Sequence, residues 1–234
     1  MLTSEPFRLI EMTPGWLVVD KSAGVGFHRE GATPGLLEYV AAATGDTQLY
    51  PVHRIDRMTS GLLLIARNPV AAAHLSRLFA ERRVDKFYLA LGARKPRKKQ
   101  GRIVGDMTKG RGGSWRLLRS RENPSITDFE SQSVGPGERL YLLAPRTGRT
   151  HQLRVAMKSL GAAIIGDPRY GSDANSEQRG YLHAYALCFE LDGEIYRYLC
   201  PPTQGERFTT AAIAAQLANW GEPWSRFKES RREW

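Results

Sequence analysis

"VHRIDRMTSGLLLIA", residues 52–66, decides how the fold is read: a charged turn runs directly into a strand. The run 62–66 is apolar without alternation, the pattern of a strand covered on both faces. Just before it stands a lone carboxylate, Asp56, between Arg54 and Arg57, followed by Thr59, Ser60 and Gly61. An aspartate in a turn ordinarily serves the turn itself. Two flanking guanidinium groups would also hold this one ionised, which makes Asp56 a candidate for chemistry.

Outward from that stretch, "GWLVVDKSAG" (15–24) reads as a short strand ending in a turn. Residues 68–84 read as a helix, with Asn68 as its cap, Pro69 at its first position, and Leu75, Leu78, Phe79 and Arg82 on one stripe. Residues 86–92 alternate, with Phe87, Leu89 and Leu91 on one face and Lys86, Tyr88 and Ala90 on the other. Strands are expected at 126–132 and 139–144. Helical spacing returns over 150–161, where Leu153, Ala156, Met157 and Leu160 form an apolar stripe that Gly161 ends. His151, Arg154 and Lys158 line a different face of that helix. Residues 181–199 read as a hairpin turning at Asp192-Gly193. A last helix over 209–221 turns Ile213, Leu217 and Trp220 inward, and 222–234 is a polar, basic tail. Many strands, few helices and hairpin signals predict an α+β fold with a mixed, largely antiparallel sheet and flanking helices, as one catalytic domain over 1–221.

A chain of 234 residues with 41% hydrophobic content buries a sizeable core and is not disordered. Its net charge of +10 predicts a polyanionic partner. That charge is localised: residues 94–121 hold eleven Lys and Arg against one acid, Asp106, so the other 206 residues sum to zero. Glycine and serine between the charges predict a flexible basic loop carrying one ring, Trp115, suited to RNA or DNA contact; the plain alternative is a solvated linker. "GRGGS" lacks the G-K-[ST] ending of a phosphate loop. The start has no basic region followed by an apolar stretch, no run approaches the roughly 18 apolar residues of a membrane span, and Cys188 and Cys200 read as reduced thiols, so a cytoplasmic protein is expected. Scattered histidines without C-x-x-C or H-x-x-x-H spacing argue against zinc. A hydrolase built on His53 and Ser60 lacks the G-x-S-x-G elbow, and a paired-carboxylate glycosidase lacks a second acid near Asp56.

The chain resembles the RluA-type pseudouridine synthases. "HRIDRMTSGLLLIARN" is similar to that family's H-R-L-D-x-x-T-S-G signature. "VDKFYLALGA" (84–93) resembles its V-x-K-x-Y-x-A strand, and "PRTGRTHQLRVAMKSLGAAIIGDPRYG" (145–171) resembles its T-G-R-x-H-Q-L-R-V-H…G-D-x-x-Y-G segment. "SITDFE", "YLHAYAL" and "CPP" match three further elements in the family's order. The resemblance implies the pseudouridine synthase fold with a central catalytic cleft. It places Asp56 on the catalytic aspartate, Tyr88 on the tyrosine against the target uracil, Arg154 on the arginine that pairs with the aspartate, and Arg54 on the arginine that fills the RNA stack. Arg97, Lys98 and Lys99 stand in the basic segment as expected RNA contacts. The implied reaction breaks the C1′–N1 bond, turns the uracil and joins C5 to C1′. Three routes are open to the carboxylate: attack at C1′, addition at C6, or removal of the C2′ proton. The implied partner is structured RNA, ribosomal or transfer, with no cofactor, no metal, no membrane and no obligate protein partner, and the expected state is a monomer. An inactive RNA-binding protein of the same fold is the alternative. Two departures stand out. "KSAG" (21–24) replaces K-P-A-G, which should loosen that turn, and Ala156 replaces a frequent histidine. About fifteen residues precede the first match, so no separate RNA-binding domain is expected there.

Overall fold

The computed structural model describes residues 5–171 and 177–227; residues 228–234 of the expected tail lie outside it. In chain order the elements are β1 (Phe7–Met12), β2 (Trp16–Lys21), α1 (Leu36–Thr44), β3 (Tyr50–Pro51), β4 (Ser60–Ala66), α2 (Pro69–Ala80), β5 (Asp85–Gly92) and β6 (Gln100–Gly105). There follow β7 (Met107–Lys109), β8 (Trp115–Leu117), β9 (Ser125–Gly135), β10 (Glu138–Pro145), α3 (Gln152–Ser159), β11 (Leu182–Leu191), β12 (Glu194–Leu199), α4 (Ala211–Trp220) and α5 (Pro223–Arg226). The fold is α+β, with a mixed, mostly antiparallel sheet and few helices. The chain divides into two compact units, 1–84 with 183–202 and 85–182 with 203–234.

In the first unit the strands run in the order β1-β2-β4-β11, with β3 added to β4 and β12 to β11. β4 and β11 are parallel, Ser60 facing His183 and Gly61 facing Ala184; the other pairs of this unit are antiparallel. β2 and β4 are buried along their whole length, as the unbroken apolar run of β4 requires. Gly61 has a φ of +103°, and a Cβ there would lie 2.3 Å from the Ala184 carbonyl oxygen. The glycine of Thr-Ser-Gly is thus set by the approach of β11. The β11–β12 turn falls where the sequence places it, with Asp192 and Gly193 both left-handed, the geometry of a tight hairpin turn.

α2 begins as expected, with the Asn68 side chain accepting the Ala71 N–H at 2.9 Å and Pro69 opening the helix. It stops at Ala80, and Arg82 adopts a left-handed conformation, so Arg82 leaves the stripe that buries Leu75 and Leu78. Asn68→Ala should cost about 1 kcal/mol, read as a lower denaturant midpoint at unchanged m. α1 has a signal of its own. The Glu38 carboxylate accepts the Gly35 N–H at 3.0 Å, and Gly45 closes the helix in the left-handed region.

In the second unit the order is β5-β10-β9-β6, all antiparallel, beside a separate hairpin of β7 and β8. β5 is covered on both faces: Tyr88 and Ala90 are buried like Phe87, Leu89 and Leu91. The basic segment 94–121 is not the expected loop; it supplies β6 and the β7–β8 hairpin. Its acid explains part of that order. The Asp106 N–H donates to the Ser120 carbonyl at 2.9 Å, and its carbonyl accepts the Leu118 N–H at 2.8 Å. Its carboxylate accepts the Glu122 and Asn123 N–H groups. The Ser120 hydroxyl, then these amides and the nearby Arg149 charge, outweigh partial burial and hold the Asp106 carboxyl below the ordinary aspartate value.

Candidate active site

Asp56 lies half-buried in the connection between β3 and β4, where its carbonyl accepts the Thr59 N–H at 3.0 Å. The turn is tied down from behind. Lys21, only 1% exposed at the end of β2, donates from Nζ to the carbonyls of Ser22, Val25 and Arg57 at 2.8, 3.0 and 3.1 Å. Gly24 N–H also reaches the Arg57 carbonyl at 2.8 Å, and Arg57 Nε returns a bond to the Gly24 carbonyl at 2.8 Å. The Arg57 guanidinium ends on the Glu30 carboxylate. Arg57 therefore clamps the turn to the 24–30 segment, a different task from the expected one of holding Asp56 ionised. Arg54 is exposed and has no hydrogen-bond partner among the described residues. Ser22 does not loosen its turn. Its N–H donates to the Pro6 carbonyl at 3.0 Å and its hydroxyl to the Glu5 carbonyl at 2.6 Å, two bonds a proline could not make.

His53 stacks on Phe79 with ring centroids 4.3 Å apart, and its Nε2 accepts the Leu64 N–H at 2.9 Å. It links the approach to Asp56 to β4 and α2. Ser60 Oγ lies 2.7 Å from His183 Nδ1, and His183 Nε2 lies 2.7 Å from the Cys200 carbonyl. A carbonyl only accepts, so Nε2 carries a proton toward Cys200, and Nδ1 shares a hydrogen bond with the Ser60 hydroxyl. Asp20, His183 and Cys200 bring ligand atoms within 4.8 Å of one another, yet both imidazole nitrogens are engaged in these hydrogen bonds. Burial and the neighbouring Asp20 carboxylate push the Cys200 thiol up to about 12, and burial raises Cys188; both are free, inert thiols.

In the second unit Tyr88 is 9% exposed on β5, and Arg154 is buried on α3. Arg154 makes a two-pronged pair with Asp167, Nε and Nη2 each donating at 2.8 Å. Asp167 is fully buried and also accepts the Arg169 and Tyr170 N–H groups at 2.9 and 3.0 Å. Burial raises its carboxyl, but the guanidinium and the two amides outweigh burial and hold it below the ordinary value. His151, Arg154 and Lys158, which share a face in the sequence, all reach Tyr170. Asp167 and Tyr170 are the residues that sequence reasoning passed over; their signal lies in "GDPRYG", where a carboxylate, a proline and a tyrosine share one short turn. Arg97, Lys98 and Lys99 are exposed just before β6. Arg102, by contrast, is committed to Asp128, at 2.6 Å from Nε.

The sequence profile of the RNA pseudouridylate synthase family matches residues 15–159. An RNA pseudouridine synthase of Haemophilus influenzae is 45% identical over 202 residues, covering 86% of this chain and 90% of that one. A ribosomal large subunit pseudouridine synthase C of Rickettsia bellii is 33% identical over 77% of this chain and 62% of its own. Among solved structures, human RNA pseudouridylate synthase domain containing 1 superposes with a TM-score of 0.73 at 29% identity, covering 86% of each chain. Fold and sequence together define an RNA-modifying isomerase. The chain belongs to the RNA pseudouridylate synthase family. Its reaction is the isomerisation of uridine to pseudouridine in RNA.

Proposed function

We propose that the substrate is structured RNA, ribosomal or transfer, and that Asp56 performs the isomerisation with Tyr88 and Arg154, the enzyme working as a cytoplasmic monomer. The observation that carries the substrate reading is the similarity to the Rickettsia bellii enzyme, whose name specifies the ribosomal large subunit. No described helix is long and apolar enough to cross a membrane. The isomerisation keeps every atom: N1 leaves C1′, the uracil turns, C5 bonds to C1′, and the C5 proton is released as N1 takes one up. Asp56 supplies the carboxylate that each of the three routes requires, whether at C1′, at C6 or at the C2′ proton. Tyr88 offers a flat, buried face for the freed base. Arg54, exposed and uncommitted among the described residues, suits the gap left when the uridine leaves its stack, a step costing a few kcal/mol.

The test is tritium release from uracil-labelled ribosomal and transfer RNA, followed by mapping of pseudouridine in a deletion strain. Release from neither RNA class would overturn the substrate reading.

Arg97, Lys98 and Lys99 serve affinity. Removing a cation from a phosphate should reduce the slope of log K against log salt by about 0.7–0.9. Neutralising the three together should weaken RNA binding and flatten its salt dependence, with little change in the single-turnover rate at saturating enzyme. Binding across a salt series, paired with single-turnover kinetics, checks this; an unchanged slope would leave the cluster as a solvated surface.

A further inference from the structure

The turn 167–170 grips two things. One end holds Arg154 through the Asp167 carboxylate. The other holds the β7–β8 hairpin: the Tyr170 hydroxyl accepts the Trp115 N–H at 2.8 Å, and Arg169 donates to the Gly112 carbonyl. Tyr170 also reaches back to α3. Its hydroxyl shares a hydrogen bond with His151 Nδ1 at 3.0 Å, and its ring lies 5.1 Å from the Arg154 guanidinium carbon and 5.5 Å from Lys158 Nζ. His151 occupies the left-handed region, unusual for a non-glycine residue, at the position that opens α3. The hairpin presents Lys109, Arg111 and Arg116 as exposed cations.

We propose that Tyr170 is a positioning residue that ties the hairpin Met107–Leu117 to Arg154, so that RNA phosphates on Lys109, Arg111 and Arg116 act on the rate of the chemical step as well as on affinity. The inference rests on the reading of Arg154 as catalytic. The two halves of the phenol have separable tasks. The ring supports the α3 cations through its π face, and the hydroxyl receives the hairpin at Trp115 and meets His151, while Arg169 holds the hairpin separately at Gly112. Removing the oxygen breaks the tie at Trp115 and leaves the ring over Arg154, with Arg169 still reaching Gly112, so the coupling is weakened. This distinguishes the hairpin from the Arg97–Lys99 cluster, which has no such connection to the turn among the described residues.

Tyr170→Phe should therefore lower the single-turnover rate at saturating enzyme about tenfold while RNA affinity stays within about twofold. The triple variant Lys109→Ala, Arg111→Ala, Arg116→Ala should lower affinity and rate in the wild-type background, with the same affinity loss but a smaller rate loss in the Tyr170→Phe background. A wild-type rate in Tyr170→Phe, or the same rate loss from the triple variant in both backgrounds, overturns the proposal. Arg154→Lys, assayed beside them, separates the two readings. If it retains the wild-type rate, the catalytic assignment of Arg154 fails; if it is slow while Tyr170→Phe is not, only the coupling fails. If thermal melting shows that Tyr170→Phe is destabilised, replacement of 108–116 by a short Gly-Ser turn leaves Tyr170 in place. A rate loss at saturating enzyme is then expected, and a wild-type rate again overturns the coupling.

Discussion

Asp56→Asn is expected to abolish pseudouridine formation while leaving fold and RNA affinity close to wild type. Backbone bonds hold this turn: the Asp56 carbonyl receives Thr59, and Lys21, Gly24 and Arg57 secure the backbone one residue on. An amide fits the same space and keeps those bonds. It lacks the negative charge and the nucleophilic or basic oxygen that any of the three carboxylate routes requires. Tritium release under single-turnover conditions is the measurement, with a thermal melt and an RNA-binding isotherm as controls. A rate within about tenfold of wild type would remove Asp56 from the chemistry.

Arg154→Met is expected to damage both activity and stability, and the two losses should separate. Breaking a buried pair leaves the partner's charge uncompensated, at a cost of about 3–5 kcal/mol. The partner stranded is Asp167, fully buried and gripped by both prongs of the guanidinium. A stability cycle of Arg154→Met with Asp167→Asn should therefore show strong coupling, and additive melting losses would mean that the pair contributes nothing as a pair. An activity cycle with Asp56→Asn tests the other partnership, the one expected from the family resemblance; independent effects on rate would end that assignment. The pair also has a pH signature. Because the folded state holds the Asp167 carboxyl below its unfolded value of 3.8, its contribution is complete above that value and is lost as pH falls through the folded one.

The regular elements were legible because their signals are local. Asn68-Pro69 announces α2, Asp192-Gly193 announces the last hairpin, and the run from Leu62 to Ala66 announces a strand covered on both faces. The basic segment was misread because charge density masked strands that pair at a distance: β6 is ordered by β9, some 25 residues on, and the hairpin by Asp106 and Tyr170. The Asp56 turn was visible as chemistry but not as architecture. Arg57 looked like an electrostatic neighbour of the carboxylate, and only the fold reveals that its guanidinium goes to Gly24 and Glu30. Asp167 stayed hidden for a similar reason. Nothing in "GDPRYG" states which cation it will face, because Arg154 lies 13 positions earlier on another element.

The interleaving of the two units has a consequence for biosynthesis. Ser60 and Gly61 wait for His183 and Ala184, and Ser60 meets its hydrogen-bond partner across 123 positions of chain. When residues 1–84 have left the ribosome, the Ser60–Gly61 end of β4 still lacks its parallel neighbour, and everything from 85 to 182 is translated in between. An unpaired strand edge is the kind of surface on which nascent chains associate wrongly. The long-range pairing that completes it also slows folding, since loop closure must come before the contacts that reward it. The strand that follows the Asp56 turn is thus translated early, and its first two residues find their parallel partners only late.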